Sequence, residues 1–243
     1  VPLQLDDHLR RFYRSAKKID IDIPMPFEEL RAMVLDFCRR IDSLDAMAYV
    51  QATRGVGMRG HAYRFAGGTP SLWVWVKPDM LDPMDRSYKA ITMEDTRYFH
   101  CDIKTINLLP AVIYTQRAEE AGCDETILHR GDRVTECAHS NVHILKDGAL
   151  KTAPCDNLIL PGITRAHRIA QCREMGIPVI EEPFTVREMM EADEVFFTSA
   201  SALCCRIEEI DGQKVGGRAP ELIARIQKAA LDEALAEVRQ ING

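Results

Sequence analysis

Four short segments carry side chains able to do chemistry. In Cys101-Asp102-Ile103-Lys104-Thr105-Ile106-Asn107-Leu108-Leu109, one lysine stands among apolar residues just ahead of a predicted helix. A half-buried lysine has a lowered pKa, and its neutral amine is the form that condenses with an aldehyde cofactor. The plainer alternative is a solvated surface lysine. In Val134-Thr135-Glu136-Cys137-Ala138-His139-Ser140-Asn141-Val142, Glu136 sits in a small-residue turn between two predicted strands. It is either a surface acid or a carboxylate aimed at a pyridine nitrogen, keeping that nitrogen protonated so that the ring can act as an electron sink. Leu160-Pro161-Gly162-Ile163-Thr164-Arg165 leads straight into a predicted helix. Glycine lets a ligand approach the backbone, and the helix start offers unpaired N–H groups to a phosphate, although many α/β proteins begin a helix this way. Phe197-Thr198-Ser199-Ala200-Ser201 is a hydroxyl-rich turn after an apolar strand, either a second phosphate wall or a turn and nothing more.

These segments need elements to hold them. An apolar stripe through Leu9, Phe12, Tyr13, Ala16 and Ile19 predicts a helix that Asp6 can cap, ended by Pro24 and Pro26. Leu30, Val34, Phe37 and Ile41 mark one face of a second helix. Met47–Thr53 and Leu72–Val76 read as strands, with turns at Gly55, Gly57 and Gly60 between them. Residues 1–79 thus form a small N-terminal α/β domain. The proline-punctuated stretch at 80–88 is the linker, and 89–243 form a larger C-terminal domain. In the larger part, short strands such as Glu125–Leu128 and Val142–Leu145 alternate with turns such as Asp147-Gly148. Helices are predicted near Leu108–Ala121, Thr164–Met175 and Ala219–Arg239.

Composition narrows the classes. A 243-residue chain that is 46% hydrophobic can bury a substantial core. A net charge of -6 with interleaved signs offers no basic stripe for nucleic acid or for an anionic membrane surface. No apolar stretch approaches the ~20 residues of a membrane span. The eight cysteines include no Cys-x-x-Cys pair and none at zinc-ligand spacing with a histidine, so no metal site is expected. They read as reduced small hydrophobes of a cytoplasmic protein, with Cys204-Cys205 as neighbours in a core or edge strand rather than a vicinal disulfide.

The order of the segments — lysine, glutamate, Gly-Ile-Thr-Arg, Thr-Ser-x-Ser — resembles the fold-type IV (class IV) aminotransferases that use pyridoxal 5'-phosphate, from His8 to about Gly216. The phrases Cys-Asp-Ile-Lys-x-x-Asn-Leu-Leu and Gly-Ile-Thr-Arg are closest to the D-amino acid branch of that family. The resemblance implies a two-domain α/β (α+β) cofactor-binding fold in which Lys104 holds pyridoxal phosphate as a Schiff base and shuttles the proton. It also implies that Glu136 pairs with the pyridine nitrogen and Leu160 packs on the ring. Arg11, the backbone of Ile163 and Thr164, and the Ser199-Ala200 turn would hold the phosphate. Without the resemblance, Arg11 would be read as an exposed helical arginine.

Arg59-Gly60-His61, shortly after Thr53-Arg54-Gly55, is similar to the substrate-carboxylate trap of the D-amino acid branch; the alternative is an ordinary basic pair on a loop. Arginine grips a carboxylate through paired hydrogen bonds and histidine adds a donor. Tyr49 would add a wall to the substrate pocket. In the family the trap serves the neighbouring subunit's site, which implies a homodimer. The implied reaction moves an amino group from a D-alanine-like amino acid to 2-oxoglutarate, giving a pyruvate-like 2-oxo acid and D-glutamate. A lyase acting on aminodeoxychorismate and a branched-chain L-amino acid aminotransferase are alternatives on the same fold. A catalytically inactive cofactor-binding protein and an α/β binding protein without cofactor are alternatives outside it. Two departures stand out. The chain opens at Val1-Pro2-Leu3-Gln4-Leu5, inside what would be the family's small domain, so a truncated small domain is expected. His139 and Ala200 occupy positions where hydroxyl residues are common, which removes expected substrate-side and phosphate-side hydrogen bonds; His139 itself is read as structural.

Overall fold

The structure, a computed structural model, describes residues 2–43, 45–65 and 68–242. It is a mixed α/β chain that divides into two compact units, Val1–Met80 with Ala236–Gly243, and Leu81–Leu235.

In the first unit, helices α1 (Leu5–Lys18) and α2 (Phe27–Arg40) cover one face of an antiparallel pair, β1 (Ala46–Thr53) and β2 (Ser71–Pro78). Successive side chains of a strand point to opposite faces. Ala48, Val50, Leu72 and Val74 therefore pack with Leu9, Leu30 and Val34. Tyr49 and Trp75, cross-strand partners on the other face, stack with ring centroids 4.8 Å apart. The expected Asp6 cap is not made: the capping position is Gln4, two residues earlier, α1 begins at Leu5, and no side chain caps it. Asp6 instead lies in the first turn, where a negative charge suits the helix dipole, and accepts a hydrogen bond from Arg31 Nε at 2.6 Å.

The second unit is built on a nine-stranded sheet. Its strands are β3 (Tyr88–Glu94), β4 (Glu125–Arg130), β5 (Arg133–Cys137), β6 (Asn141–Lys146), β7 (Ala149–Thr152), β8 (Val179–Glu181), β9 (Glu194–Thr198), β10 (Cys205–Ile210) and β11 (Gln213–Lys214). The order across the sheet is β5-β4-β3-β10-β9-β6-β7-β8, with β11 paired to β10. β3 lies parallel to β4 and β10, and β7 parallel to β8; the other pairs are antiparallel. Helices α3 (Leu109–Glu120), α4 (Ile163–Glu174), the single-turn α5 (Val186–Met190) and α6 (Pro220–Asn242) complete the chain order. Ile127, Val134, Val142, Ile144, Phe197 and Ile207 are central to the core. The Asp147-Gly148 turn has positive φ at both residues, 50° and 78°, the twist that a two-residue hairpin needs. All eight cysteines are free, and Cys204 and Cys205 are buried.

Candidate active site

Glu136 lies on β5 and not in a turn; the small residues that suggested a turn begin only after Cys137. It is 5% exposed, and its carboxylate is gripped on both oxygens. Arg97 Nη1 donates to Oε1, while Asn141 Nδ2 at 2.9 Å and the Leu160 N–H at 3.0 Å donate to Oε2. A carboxylate has about four acceptor positions. Among the described residues three are used, so one remains for an incoming N–H. Burial pushes this carboxyl up to about 7, against the pull of the Arg97 guanidinium and the Leu160 N–H.

One stretch of chain ties this acid to the other candidate segments. Asn157 O accepts from Cys101 N–H at 3.1 Å and Asn157 Nδ2 donates to Phe99 O at 3.3 Å, which anchors the loop that carries Lys104. Leu158 O accepts from Arg97, and Leu160 meets both Glu136 and Asn141. Two residues later Gly162 opens α4. A Cβ at Gly162 would lie 2.0 Å from Asn141 Oδ1, so only glycine fits there unless Asn141 gives up its place beside Glu136.

The start of α4 has no side-chain cap, so the first-turn N–H groups of Ile163 and Thr164 take none, and an anion is favoured at such a helix start. Thr164 is buried, and its hydroxyl donates to Ser199 O at 2.7 Å. That bond joins the helix start to the Ser199-Ala200 turn. Ser199 Oγ is occupied inside its own turn, accepting from the backbone N–H of Ser201 and Ala202. Ala200 is exposed. The geometry brings together Glu136, Leu160, Ile163, Thr164 and Ser199.

Lys104 departs from expectation. It lies on the loop between β3 and α3 and is exposed, not half-buried. Its apolar neighbours in sequence face outward too: Ile106 is 58%, Leu108 52% and Leu109 69% exposed.

Four expected site residues belong to the first unit. Arg11 is on α1 and is buried, not the exposed helical arginine of the alternative reading. Tyr49 is on β1, its hydroxyl 2.8 Å from Gln51 Oε1. Arg59 and His61 are both exposed on the loop between β1 and β2, and His61 lines a concavity of about 250 Å³ with Arg54, Met58 and Tyr63.

Three residues went unnoticed in the sequence. Asp95 is buried; burial opposes its ionisation, but the Arg97 fork and Arg130 outweigh it and hold the carboxyl below its usual range. Arg97 spans Asp95 and Glu136, and Asn141 bridges Glu136 to Leu160 O at 3.0 Å. An Asp-x-Arg at a strand end and an asparagine closing a small-residue turn were the available signals. His139 is 55% exposed in its side chain, with Nδ1 3.7 Å from the buried Glu125. Among the described residues no cluster of His, Cys, Asp or Glu could hold a metal ion.

Known proteins resemble the chain along most of its length. A family model described as amino-transferase class IV matches residues 1–210. The D-alanine aminotransferase of Bacillus licheniformis is 38% identical over 233 residues, 95% of this chain and 82% of that protein. The D-alanine aminotransferase of Staphylococcus haemolyticus is 39% identical over 212 residues, 86% of this chain and 75% of that protein. Among solved structures, the branched-chain amino acid aminotransferase from Escherichia coli gives a TM-score of 0.81 at 26% identity, covering 93% of this chain and 77% of that one. A fold IV transaminase from Curtobacterium pusillum gives 0.81 at 23% identity, covering 97% and 81%, a likeness of fold.

Proposed function

Because the chain belongs to the amino-transferase class IV family, whose enzymes depend on pyridoxal phosphate, we propose that it transfers the amino group of a D-alanine-like amino acid to 2-oxoglutarate. The observation that carries the reading is the continuous set Glu136–Leu160–Ile163–Thr164–Ser199. It sets a buried carboxylate with one open acceptor position on the same stretch of chain as an uncapped helix start. Those two features fit a pyridine N–H and a phosphate monoester. The 37–39% identity to several D-alanine aminotransferases, together with Arg59-x-His61, supports the D-amino acid branch.

When bound, the cofactor supplies an aldehyde for amino-group exchange and a ring that draws electrons from the substrate Cα. The residues then divide the work. Lys104 Nζ would hold the cofactor and would carry the proton to and from the substrate Cα. Glu136 would accept the ring N–H, and Leu160 would line the ring. The backbone N–H groups of Ile163 and Thr164 and the Ser199-Ala200 turn bind the phosphate. Arg11 as a further phosphate ligand, Arg59 and His61 as the carboxylate trap, and Tyr49 as a pocket wall rest on the family resemblance.

A homodimer completes the proposal. Leu109, Val112 and Ile113 form an apolar face on α3, 69%, 61% and 46% exposed, and continue outward from Ile106 and Leu108. A patch of this kind on an enzyme surface calls for a partner, and a second copy of this chain is the partner proposed. The function is tested by assaying D- and L-alanine with 2-oxoglutarate, on the protein as it stands and on Arg59→Leu. A charge-assisted paired contact is worth roughly 1.5–3 kcal/mol, so kcat/KM for D-alanine should fall by about 10- to 100-fold in the variant. A preference for L-alanine, or an Arg59→Leu enzyme as fast as the original, would remove the D-amino acid reading.

A further inference from the structure

The surroundings of Arg97 suggest a role for it that none of the comparisons assigns. Its side chain is 12% exposed and reaches four acceptors. Nε donates to Asp95 Oδ1 at 2.9 Å, Nη2 to Asp95 Oδ2 at 3.0 Å and to Leu158 O at 3.1 Å, and Nη1 donates to Glu136 Oε1. Asp95, with no exposed side-chain surface, is itself held by the Arg97 backbone N–H at 3.0 Å, Arg130 Nε at 3.2 Å and Thr135 Oγ1 at 3.1 Å. Arg130 Nη2 also donates to Arg97 O at 2.7 Å. The guanidinium is thus fixed from behind before it meets Glu136.

The charges of this group are informative. Two arginines, Arg97 and Arg130, face two acids, Asp95 and Glu136. The cluster is neutral only when both acids are ionised. A buried cluster with an unbalanced charge is costly, so Arg97 and Arg130 together favour the Glu136 carboxylate. The fork on Asp95 also sets which Glu136 oxygen Arg97 takes. Oε2 is left to Asn141 and Leu160, and one acceptor position stays open.

We propose that Arg97 is the positioning residue for Glu136: clamped by Asp95 and Arg130, it fixes the orientation of the Glu136 carboxyl and biases it toward the ionised form, so that the open position accepts a ring N–H. This inference rests on the reading of Glu136 as the partner of the cofactor's ring nitrogen. Removal of the Arg97 charge would leave a buried carboxyl that holds its proton well above neutrality. A protonated Glu136 would offer an O–H where an acceptor is needed. The direction of the electrostatics agrees: burial raises the Glu136 titration, Arg97 lowers it, and Asp95 raises it.

The test uses ligand-free protein carrying ¹³C-carboxyl glutamate, with the Glu136 signal identified by its loss in Glu136→Gln. Arg97→Met should move the Glu136 titration upward by about 1–3 pH units, the usual effect of one close opposite charge. Arg97→Lys, which keeps the charge but not the fork, should recover most of that change. Asp95→Asn should move the titration the other way, downward, because it removes a neighbouring negative charge and leaves Arg97 in place. That opposite sign is one that general loosening of the fold does not produce, and it remains readable if Arg97→Met fails to fold. An unchanged Glu136 titration in folded Arg97→Met, or equal upward movement in Arg97→Met and Asp95→Asn, would overturn the proposal. A second readout separates this idea from the reading beneath it. With ring-¹⁵N pyridoxal phosphate bound, Arg97→Met and Glu136→Gln should both lower the pH at which the ring nitrogen loses its proton. If only Glu136→Gln does so, the Arg97 role fails and the Glu136 role stands. If neither does, the Glu136 role fails as well.

Discussion

Within Leu81–Leu235, the neighbourhood of Glu136 and the neighbourhood of Lys104 are built in opposite ways. Around Glu136 the chain supplies all but one partner: Arg97, Asn141 and Leu160 hold the carboxylate, Asp95 holds Arg97, and Arg130 and Thr135 hold Asp95 in turn. Around Lys104 the chain turns outward, and Ile106, Leu108, Leu109, Val112 and Ile113 meet solvent. A buried polar network must be nearly complete within the chain, since each unmatched group is costly there. An apolar surface can be completed by another molecule at no such cost. The contrast teaches that one chain can preorganise the electrostatic half of the proposed site, whereas the lysine half lies beside an apolar surface that the proposed dimer would cover.

Breaking the assembly should have the larger effect. Val112→Glu places a charge in the middle of the α3 face without touching Glu136 or Lys104. It should yield a monomer in light scattering at assay concentrations, with transaminase activity reduced to a trace. A Val112→Glu protein that remains dimeric and active would move the proposed interface elsewhere; one that is monomeric and fully active would end the idea that assembly completes the site.

A smaller effect should mark the Glu136 side. Burial pushes the Glu136 carboxyl up to about 7 in the folded chain, from an ordinary value of 4.5. The folded state therefore binds this proton more tightly than the unfolded state does. The corresponding stability is fully present below pH 4.5 and is lost as pH rises through 7, at a cost of up to about 3 kcal/mol in ligand-free protein. Glu136→Gln lacks this titration. The stability of the original chain relative to the variant should fall between pH 5 and pH 8, measured by denaturant unfolding at the two pH values. A difference that does not change with pH would mean that Glu136 is not buried as a strained acid.

The same contrast decides what was legible in the sequence. Period-two and helical patterns carried β1, β2, β4, β6, α3 and α4 to within a few residues, because burial of one face dictates those patterns locally. The start of α4 at Gly162-Ile163-Thr164 was legible for the same reason. Glu136 was read as a turn residue because Cys137-Ala138-His139-Ser140 resemble a loop, whereas β5 continues to Cys137 before the turn closes. The Asp6 cap was misplaced by two residues, a local choice between near-equivalent helix starts. Arg97 and Asn141 escaped notice because their importance comes from contacts 39 and 5 residues away, which no local pattern records. Lys104 was expected to be half-buried because its neighbours are apolar; a single chain leaves those neighbours exposed, and apolar character alone does not say which molecule covers them.

The Lys104 loop, the Glu136 network and the α4 start serve one cofactor only if this lysine holds it. The direct measurement is to add pyridoxal phosphate to the assembled protein, reduce with borohydride, digest, and find the modified lysine by mass spectrometry. One stable cofactor–lysine bond is expected, on the peptide containing Cys101-Asp102-Ile103-Lys104, with its loss in Lys104→Ala. A bond formed on another lysine, or none formed while the cofactor is bound, would contradict it.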